Sequence, residues 1–126
     1  DGNPVLTRGM VDGAMESAVY NCAVLLEDGV FRMWYTAAYK QHMKNFAERS
    51  GGITYARSKD GIRWTKDQTQ TFFNGPPGSI DEYSAYAPCV IRRDGCLWMY
   101  YSIAHLDQSD KRDPRRNRVG LAIEKR

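Results

Sequence analysis

Short runs of apolar and aromatic residues alternate with polar segments along the chain, and Asp-Gly pairs separate several of these runs. The clearest example is YNCAVLLEDGVFRMWY at 20–35, where two strand-like runs flank Asp28-Gly29. Asp-Gly between such runs is a hairpin signal, because glycine readily adopts the positive φ that a tight turn requires. No segment shows a sustained helical period of apolar residues. The pattern predicts an all-β fold of antiparallel hairpins.

An internal repeat organises the sequence. Residues 20–35 return as YAPCVIRRDGCLWMYY at 86–101, and this spacing of 66 positions holds without a gap over the whole repeating unit. The repeat predicts a single domain with three parts: an outer strand and connecting loop in 1–15, and equivalent units at 16–60 and 82–126.

The first unit continues beyond the repeat into a fourth run. After a third run at 53–57, the turn Ser58-Lys59-Asp60-Gly61 precedes Ile62-Arg63-Trp64, and an apolar group follows at 71–73. Each complete unit is therefore predicted to be a four-stranded antiparallel meander. We expect seven or eight strands, with tight turns at the Asp-Gly pairs.

Composition excludes several function classes. The 126 residues contain no run near the roughly 20 apolar residues of a membrane-spanning helix, and residues 1–4 do not resemble a signal peptide. Three cysteines and two histidines show no zinc-binding spacing, so neither metal nor cofactor is expected. Much of the net charge of +3 comes from the basic loop 111–118, which is a weak argument for nucleic acid. We expect a soluble protein, cytoplasmic if no leader was removed, that binds neither membranes nor nucleic acid.

Four-stranded meanders repeated around an axis form the blades of β-propellers. The segments YARSKDGIRW at 55–64, FRMWY at 31–35 and NPVL at 3–6 resemble blades of five-bladed glycosidase propellers, namely the arabinanase/xylosidase and invertase/levanase groups and their uncharacterised relatives. The resemblance covers about two blades. It implies a glycosidase-like propeller protein that binds a carbohydrate at the rim of a ring.

The order of the strands predicts self-association. In the resembled pattern, the segment at 3–6 is the outermost strand of the preceding blade, whereas the second unit here ends with its third run at 119–123. Both places would present unpaired backbone, which a neighbouring copy could satisfy. We therefore expect a cyclic homo-oligomer in which 4–6 of one copy pairs beside 119–123 of the next. A trimer of six blades is favoured over a dimer of four.

Candidate binding residues cluster in the loops predicted at one end of the strands. If the Asp-Gly hairpins lie at one end, four loop segments converge at the other, at 12–20, 39–52, 81–86 and 105–117. Tyrosine rings there could stack on a sugar, although packing within the inner strands is an equal alternative. The candidate substrate-binding residues are Asp12, Tyr20, Asp81, Tyr86 and His105.

Glu16 and Glu82 are the candidate catalytic acids. They occupy equivalent positions before the two inner strands, and glycoside hydrolysis uses two facing carboxyl groups. Alternatively, they are solvated loop acids or partners of arginines. The arabinanase-like pattern reads Trp-Ala-Pro-Asp-Val where this chain has YAPCV at 86–90, and the other family acid motifs have no match on either inner strand. This departure favours a noncatalytic binding module over a hydrolase, and a protein-interaction module is a second alternative.

Other side chains have structural interpretations that we favour over chemical ones. Cys89 could be a nucleophile with His105 as base, but a cysteine on an inner strand is more often a small buried hydrophobe. A metal site formed by His42 and His105 is equally disfavoured. A group of aromatic residues is predicted to form the core between blades: Trp34, Tyr35, Trp98, Tyr100 and Tyr101.

Overall fold

The computed structural model describes residues 2–11, 14–39, 51–72, 78–81, 84–106 and 115–124. These residues form eight β-strands and no helix, so the described part of the chain contains no helix that could cross a membrane. The strands are β1 (Met10–Val11), β2 (Ala14–Glu27), β3 (Val30–Tyr39), β4 (Gly51–Ser58), β5 (Thr65–Phe72), β6 (Ser84–Arg93), β7 (Cys96–Leu106) and β8 (Arg115–Ile123).

The strands form two antiparallel sheets that follow the sequence repeat. The first sheet has the order β1-β2-β3-β4-β5, and the second has the order β6-β7-β8. We call β2–β5 blade 1 and β6–β8 blade 2, with β2 and β6 as their inner strands. The predicted antiparallel all-β class is confirmed. Blade 1 has the predicted four strands, and the described part of blade 2 has three.

The predicted tight turns are present. In the first turn, φ is 50° at Asp28 and 74° at Gly29. In the second, φ is 51° at Asp94 and 76° at Gly95. Two consecutive left-handed residues are typical of a type I′ hairpin turn, whose twist matches that of the flanking strands. In the third turn, the Asp60 carboxylate accepts hydrogen bonds from the backbone N–H groups of Arg63 and Ile62, at 2.7 and 2.9 Å. These bonds, the first above all, hold the pKa of Asp60 well below its usual range.

Side chains of β3 alternate between two faces of blade 1. Met33 and Tyr35 point to one side, which we call the back face, and pack there with Val11, beneath Leu6 of the N-terminal segment. Trp34 points to the opposite side, the front face. Because side chains alternate between the faces and both faces carry apolar residues, both faces of blade 1 need to be covered.

Blade 2 covers the front face of blade 1. Ile53 of blade 1 is buried in one cluster with Ala85, Tyr101 and Ile103 of blade 2. At the end of the sheets that carries the Asp-Gly hairpins, Arg92 donates two hydrogen bonds to Glu27, at 2.6 and 2.8 Å, and so links the two inner strands. The two blades therefore pack face to face.

Some predicted core residues lie outside this core. Tyr101 faces blade 1, so its neighbour Tyr100 faces the other way and is 36% exposed. Trp98 has the same orientation as Tyr100 and is half-buried. Cys89, opposite Tyr100 in the register, is exposed, so the expectation of a buried cysteine is wrong for this chain. In each case the reason is that nothing among the described residues covers the outer face of blade 2.

The predicted outer strand is not formed within the chain itself. Residues 2–9 contain no strand, and only Met10–Val11 pairs with β2. Conversely, β7 and β8 reach further than expected, into the segment 105–117 that was predicted to be a loop. Pairing of residues 4–6 with another copy stays a prediction.

Candidate functional site

Each inner strand contains a β-bulge at an equivalent position. The pairing register shifts after Tyr20 in β2 and after Tyr86 in β6. The residues that follow, Asn21 and Ala87, have φ values of 41° and 51°. Left-handed backbone costs a non-glycine residue roughly 1–3 kcal/mol and persists only where its surroundings hold it. Bulges redirect side chains and often occur beside functional sites, so these two positions indicate where a site lies.

A hydroxyl group of blade 1 holds the bulge of blade 2. The backbone N–H of Ala87 donates a hydrogen bond of 2.8 Å to Oγ1 of Thr36. Thr36 is 1% exposed and lies directly opposite Tyr20 in the β2–β3 register. This bond therefore holds the left-handed backbone of Ala87 close to the segment of β2 that carries Tyr20. Tyr86 is the residue just before Ala87.

Tyr20 and Tyr86 lie near each other, across the junction of the blades. Partial burial raises the pKa of the Tyr20 phenol, and the nearby Tyr86 phenol raises it further. Tyr20 is nevertheless 48% exposed, and its other side borders an apolar cavity of about 310 Å³ beneath Asn3–Leu6. We call the surface around Tyr20 and Tyr86, next to the partly buried hydrogen bond between Thr36 and Ala87, the rim cleft.

Glu16 is buried rather than exposed at the rim. It is 1% exposed and accepts hydrogen bonds from the Tyr35 hydroxyl at 2.8 Å and the Gly9 backbone N–H at 2.9 Å. The Lys66 ammonium group forms an ion pair with the same carboxylate and also donates to the Thr7 carbonyl. A buried charge requires this kind of pairing. The contacts join the N-terminal segment, β2, β3 and β5.

Asp81 has a similar place in blade 2. It is nearly buried, and its carboxylate accepts hydrogen bonds from the Tyr101 hydroxyl at 3.1 Å and the Ser79 hydroxyl at 2.9 Å. Burial, followed by these interactions with Asp81, raises the pKa of Tyr101 to about 12. Tyr101 is the repeat equivalent of Tyr35, so in each blade a tyrosine of the second strand bonds to a carboxylate near the start of the inner strand, within β2 for Glu16 and just before β6 for Asp81.

Several predicted site residues cannot be placed in this geometry. Asp12, Glu82 and His42 lie outside the described residues, and so does the side chain of His105, whose backbone belongs to β7 opposite Arg116. The structure therefore brings together Tyr20 and Tyr86 from the predicted set and places Glu16 and Asp81 in separate buried pairs. Within the described ranges, no group of three potential metal ligands occurs.

Sequence reasoning missed Thr36 and Lys66. The sequence analysis did not single out Thr36, although its repeat equivalent, Ser102, also carries a hydroxyl group. A hydroxyl residue at the same place in both units is a signal that could have been used. Lys66 offers no comparable signal, because it reaches Glu16 through the pairing of β5 with β4.

Comparison with solved structures identifies the fold. The chain superimposes on an N-acetylgalactosamine deacetylase from F. plautii in complex with blood group B trisaccharide, with a TM-score of 0.75 and 19% identity over 93% of this chain and 35% of that one. For BT0996 in its RGII complex, the TM-score is 0.71 with 22% identity over 99% of this chain and 31% of that protein. For a GH43 endo-arabinanase from Bacillus licheniformis, the TM-score is 0.55 with 18% identity over 93% of this chain and 34% of that one.

The other comparisons found no relatives. No family model matches the sequence, and no curated protein does. The chain spans about a third of the length of the solved structures to which it is similar. At these identities the similarity concerns the fold and not the activity. The chain therefore has the antiparallel blade fold of glycosidase-like β-propellers.

Proposed function

We propose that the chain binds a carbohydrate in the rim cleft, with Tyr20 and Tyr86 as the main contacts. The observation that carries this proposal is the pair of equivalent β-bulges at Asn21 and Ala87, which hold two tyrosines close together where the inner strands meet. Two neighbouring phenols offer flat apolar surfaces for the C–H face of a sugar ring. Their hydroxyl groups supply hydrogen bonds to its hydroxyls.

The character of the rim supports binding over hydrolysis. Hydrolysis by paired acids needs two carboxyl groups that reach the same glycosidic bond. Glu16 is turned inward and saturated by Tyr35, Gly9 and Lys66, so it could act on a sugar only after this buried cluster opened. Catalysis by Glu16 with Glu82 stays the alternative function. Asp12, Asp81 and His105 stay predicted contributors to substrate binding.

Two of the solved structures with this fold are complexes with carbohydrate. One is the deacetylase bound to blood group B trisaccharide, and another is the RGII complex of BT0996. These ligands belong to those proteins. They support the choice of carbohydrates as the ligand class to test here, without indicating which sugar this chain prefers.

The test is titration of a glycan panel against matched tyrosine variants. Tyr20→Ala and Tyr86→Ala should each weaken binding of any glycan that the wild type recognises, by about tenfold or more, because a stacking surface is lost. Tyr20→Phe and Tyr86→Phe keep the ring and should cost less. Ile62→Ala is the control, because Ile62 lies in the Asp60-Gly61 turn at the opposite end of the strands.

Three outcomes would decide between the alternatives. Glycan binding that is unchanged in both alanine variants would exclude the rim cleft as the binding site. Release of reducing ends by the wild type, abolished in Glu16→Gln and in Glu82→Gln, would establish the hydrolase alternative. If no glycan binds and the chain instead associates with other proteins, the interaction-module alternative is the better description.

The proposal includes self-association. Copies of the chain would complete a ring with an even number of blades, and a trimer is favoured over a dimer. Each rim cleft would then be one of several around a shared axis.

A further inference from the structure

The two β-bulges at the rim cleft differ in how their left-handed residue is supported. At the bulge of β2 this residue is Asn21, and asparagine adopts a left-handed backbone more readily than most residues do. At the bulge of β6 it is Ala87, which has no such preference. The bulge of β6 therefore needs support from outside its own sequence.

The residue that follows opposes the bulge conformation of β6. Pro88 comes directly after Ala87, and a proline restricts the residue before it towards extended backbone. Ala87 nevertheless has a φ of 51°. The ladder with β7 includes Tyr86 and Cys89 but neither of the two residues between them, so strand pairing does not fix this conformation. We expect the backbone at Ala87 to relax towards an extended conformation when no other contact holds it.

Thr36 supplies that contact from the other blade. Its buried Oγ1 accepts the 2.8 Å hydrogen bond from the N–H of Ala87. This N–H belongs to the planar peptide group that joins Tyr86 to Ala87, so the bond fixes the orientation of the peptide group beside Tyr86. Because Thr36 belongs to β3, the backbone direction at a tyrosine of blade 2 is set by a side chain of blade 1.

The same threonine is paired with the other tyrosine of the rim cleft. Thr36 lies directly opposite Tyr20 in the β2–β3 register. One residue therefore neighbours the backbone of Tyr20 through strand pairing and the backbone next to Tyr86 through its side chain. The relative position of the two tyrosines depends on this residue.

We propose that Thr36 is the positioning residue of the rim cleft, and that by holding Ala87 it places the Tyr86 ring where it contacts the same sugar as Tyr20. Thr36 itself is buried and does not touch the sugar. The donor and the acceptor belong to different blades, so the cleft is competent to bind only while the blades are docked. This inference rests on the proposed carbohydrate binding and names the residue that prepares its site.

The first test is the affinity for any glycan that the wild type binds. Thr36→Val should weaken binding about fivefold, because only the molecules that keep Ala87 left-handed have both tyrosines in place. Thr36→Ser keeps the acceptor and should bind as the wild type does. Since Thr36 acts through Tyr86, Thr36→Val should cause no further loss when it is added to Tyr86→Ala.

Two more variants separate positioning from a general loss of stability. Glycine adopts a left-handed backbone without the penalty of a Cβ, so Ala87→Gly should restore most of the affinity in the Thr36→Val background. Gly120→Ala is the matched control, because it disturbs the packing of blade 2 at Tyr101 and leaves the bond from Ala87 in place. It should leave the glycan affinity unchanged at a temperature at which every variant is folded.

A second measurement needs no glycan. Tyr86 contributes to the raised pKa of Tyr20, so Tyr86→Phe should lower the pKa of Tyr20. In the Thr36→Val background the same substitution should lower it less, because Tyr86 is no longer held beside Tyr20. The pKa is followed by NMR from the ring carbon that carries the Tyr20 hydroxyl.

The outcomes separate this inference from the proposed function. Wild-type affinity in Thr36→Val would overturn the positioning role while carbohydrate binding by the tyrosines would stand. A loss that Ala87→Gly does not reverse, or that Gly120→Ala reproduces, would also overturn it, since Thr36 would then act through overall stability. If no glycan binds the wild type, the proposed function fails, and an equal effect of Tyr86→Phe on the pKa of Tyr20 with and without Thr36→Val would overturn the positioning role separately.

Discussion

Thr36→Val tests the link between the two bulged strands most directly. Valine has the shape of threonine but lacks the hydroxyl that accepts the 2.8 Å hydrogen bond from Ala87. Both residues are β-branched, so strand propensity and the volume of this fully buried side chain are kept. The substitution therefore removes one acceptor and changes little else.

The expected magnitude follows from the position of the donor. A hydrogen bond between neutral groups contributes about 0.5–1.5 kcal/mol net, and a buried donor left without a partner costs about 1–3 kcal/mol. Ala87 is partly exposed, so water can reach its N–H in part. We expect the free energy of unfolding to fall by about 1–2 kcal/mol, within these limits.

Urea denaturation measures the loss of stability, and amide hydrogen exchange at Ala87 identifies its source. Exchange of this amide should become about 5–30-fold faster in Thr36→Val, which corresponds to the same free energy. Thr36→Ser is the control, because it keeps the acceptor and loses only a methyl group, so exchange at Ala87 should stay slow even though the protein is somewhat less stable. Unchanged stability together with unchanged exchange at Ala87 in Thr36→Val would refute the role of this bond.

Two further predictions concern the packing and titration of blade 2. Gly120→Ala should lower the melting temperature by several degrees. The added Cβ would lie 2.8 Å from the Tyr101 ring and 2.7 Å from Ile103 Cδ1, so these side chains must shift at a cost of about 1–3 kcal/mol. An unchanged melting temperature would contradict this packing. The pKa of Tyr101 is about 12 in the folded chain, above its usual 10.0, so its stabilising effect is complete below pH 10 and is lost as the pH rises through 12. Absorbance at alkaline pH should show this late phenol ionisation in the wild type and not in Tyr101→Phe; its persistence in the variant would assign it to another tyrosine.

Local chemistry made most of the fold predictable. The Asp-Gly turns depend on two adjacent residues, and the strands depend on alternation within a few positions, so both could be recognised in isolation. The repeat then indicated that the second unit contains its strands in the same order as the first. Burial of Tyr35 and Tyr101 was correctly predicted on this basis. Tyr100 was also predicted to lie in the core between blades but is exposed, because alternation alone does not show which face of a blade is covered.

The site was less predictable, because its residues meet through contacts between distant strands. Position and aromatic character indicated Tyr20 and Tyr86, but the bulges that hold them have no clear local signal at Ala87, since alanine rarely adopts a left-handed backbone. Glu16 was expected near the surface. Its burial depends on Lys66, which lies 50 positions away and arrives only when β5 pairs with β4. No pattern within one strand contains this information.

The two carboxylates illustrate why equivalent acids in a repeat need not form a catalytic pair. The tyrosines Tyr35 and Tyr101 occupy equivalent positions, but their partners Glu16 and Asp81 are one position out of register with each other. What both blades share is therefore a bond from the second strand to a carboxylate near the start of the inner strand, and not an acid at a fixed place. In blade 1 a lysine compensates the charge of this acid. These bonds hold Glu16 inside the first residues of β2 and Asp81 just before β6, and for this reason the proposed carbohydrate site depends on the two neighbouring tyrosine side chains rather than on these acids.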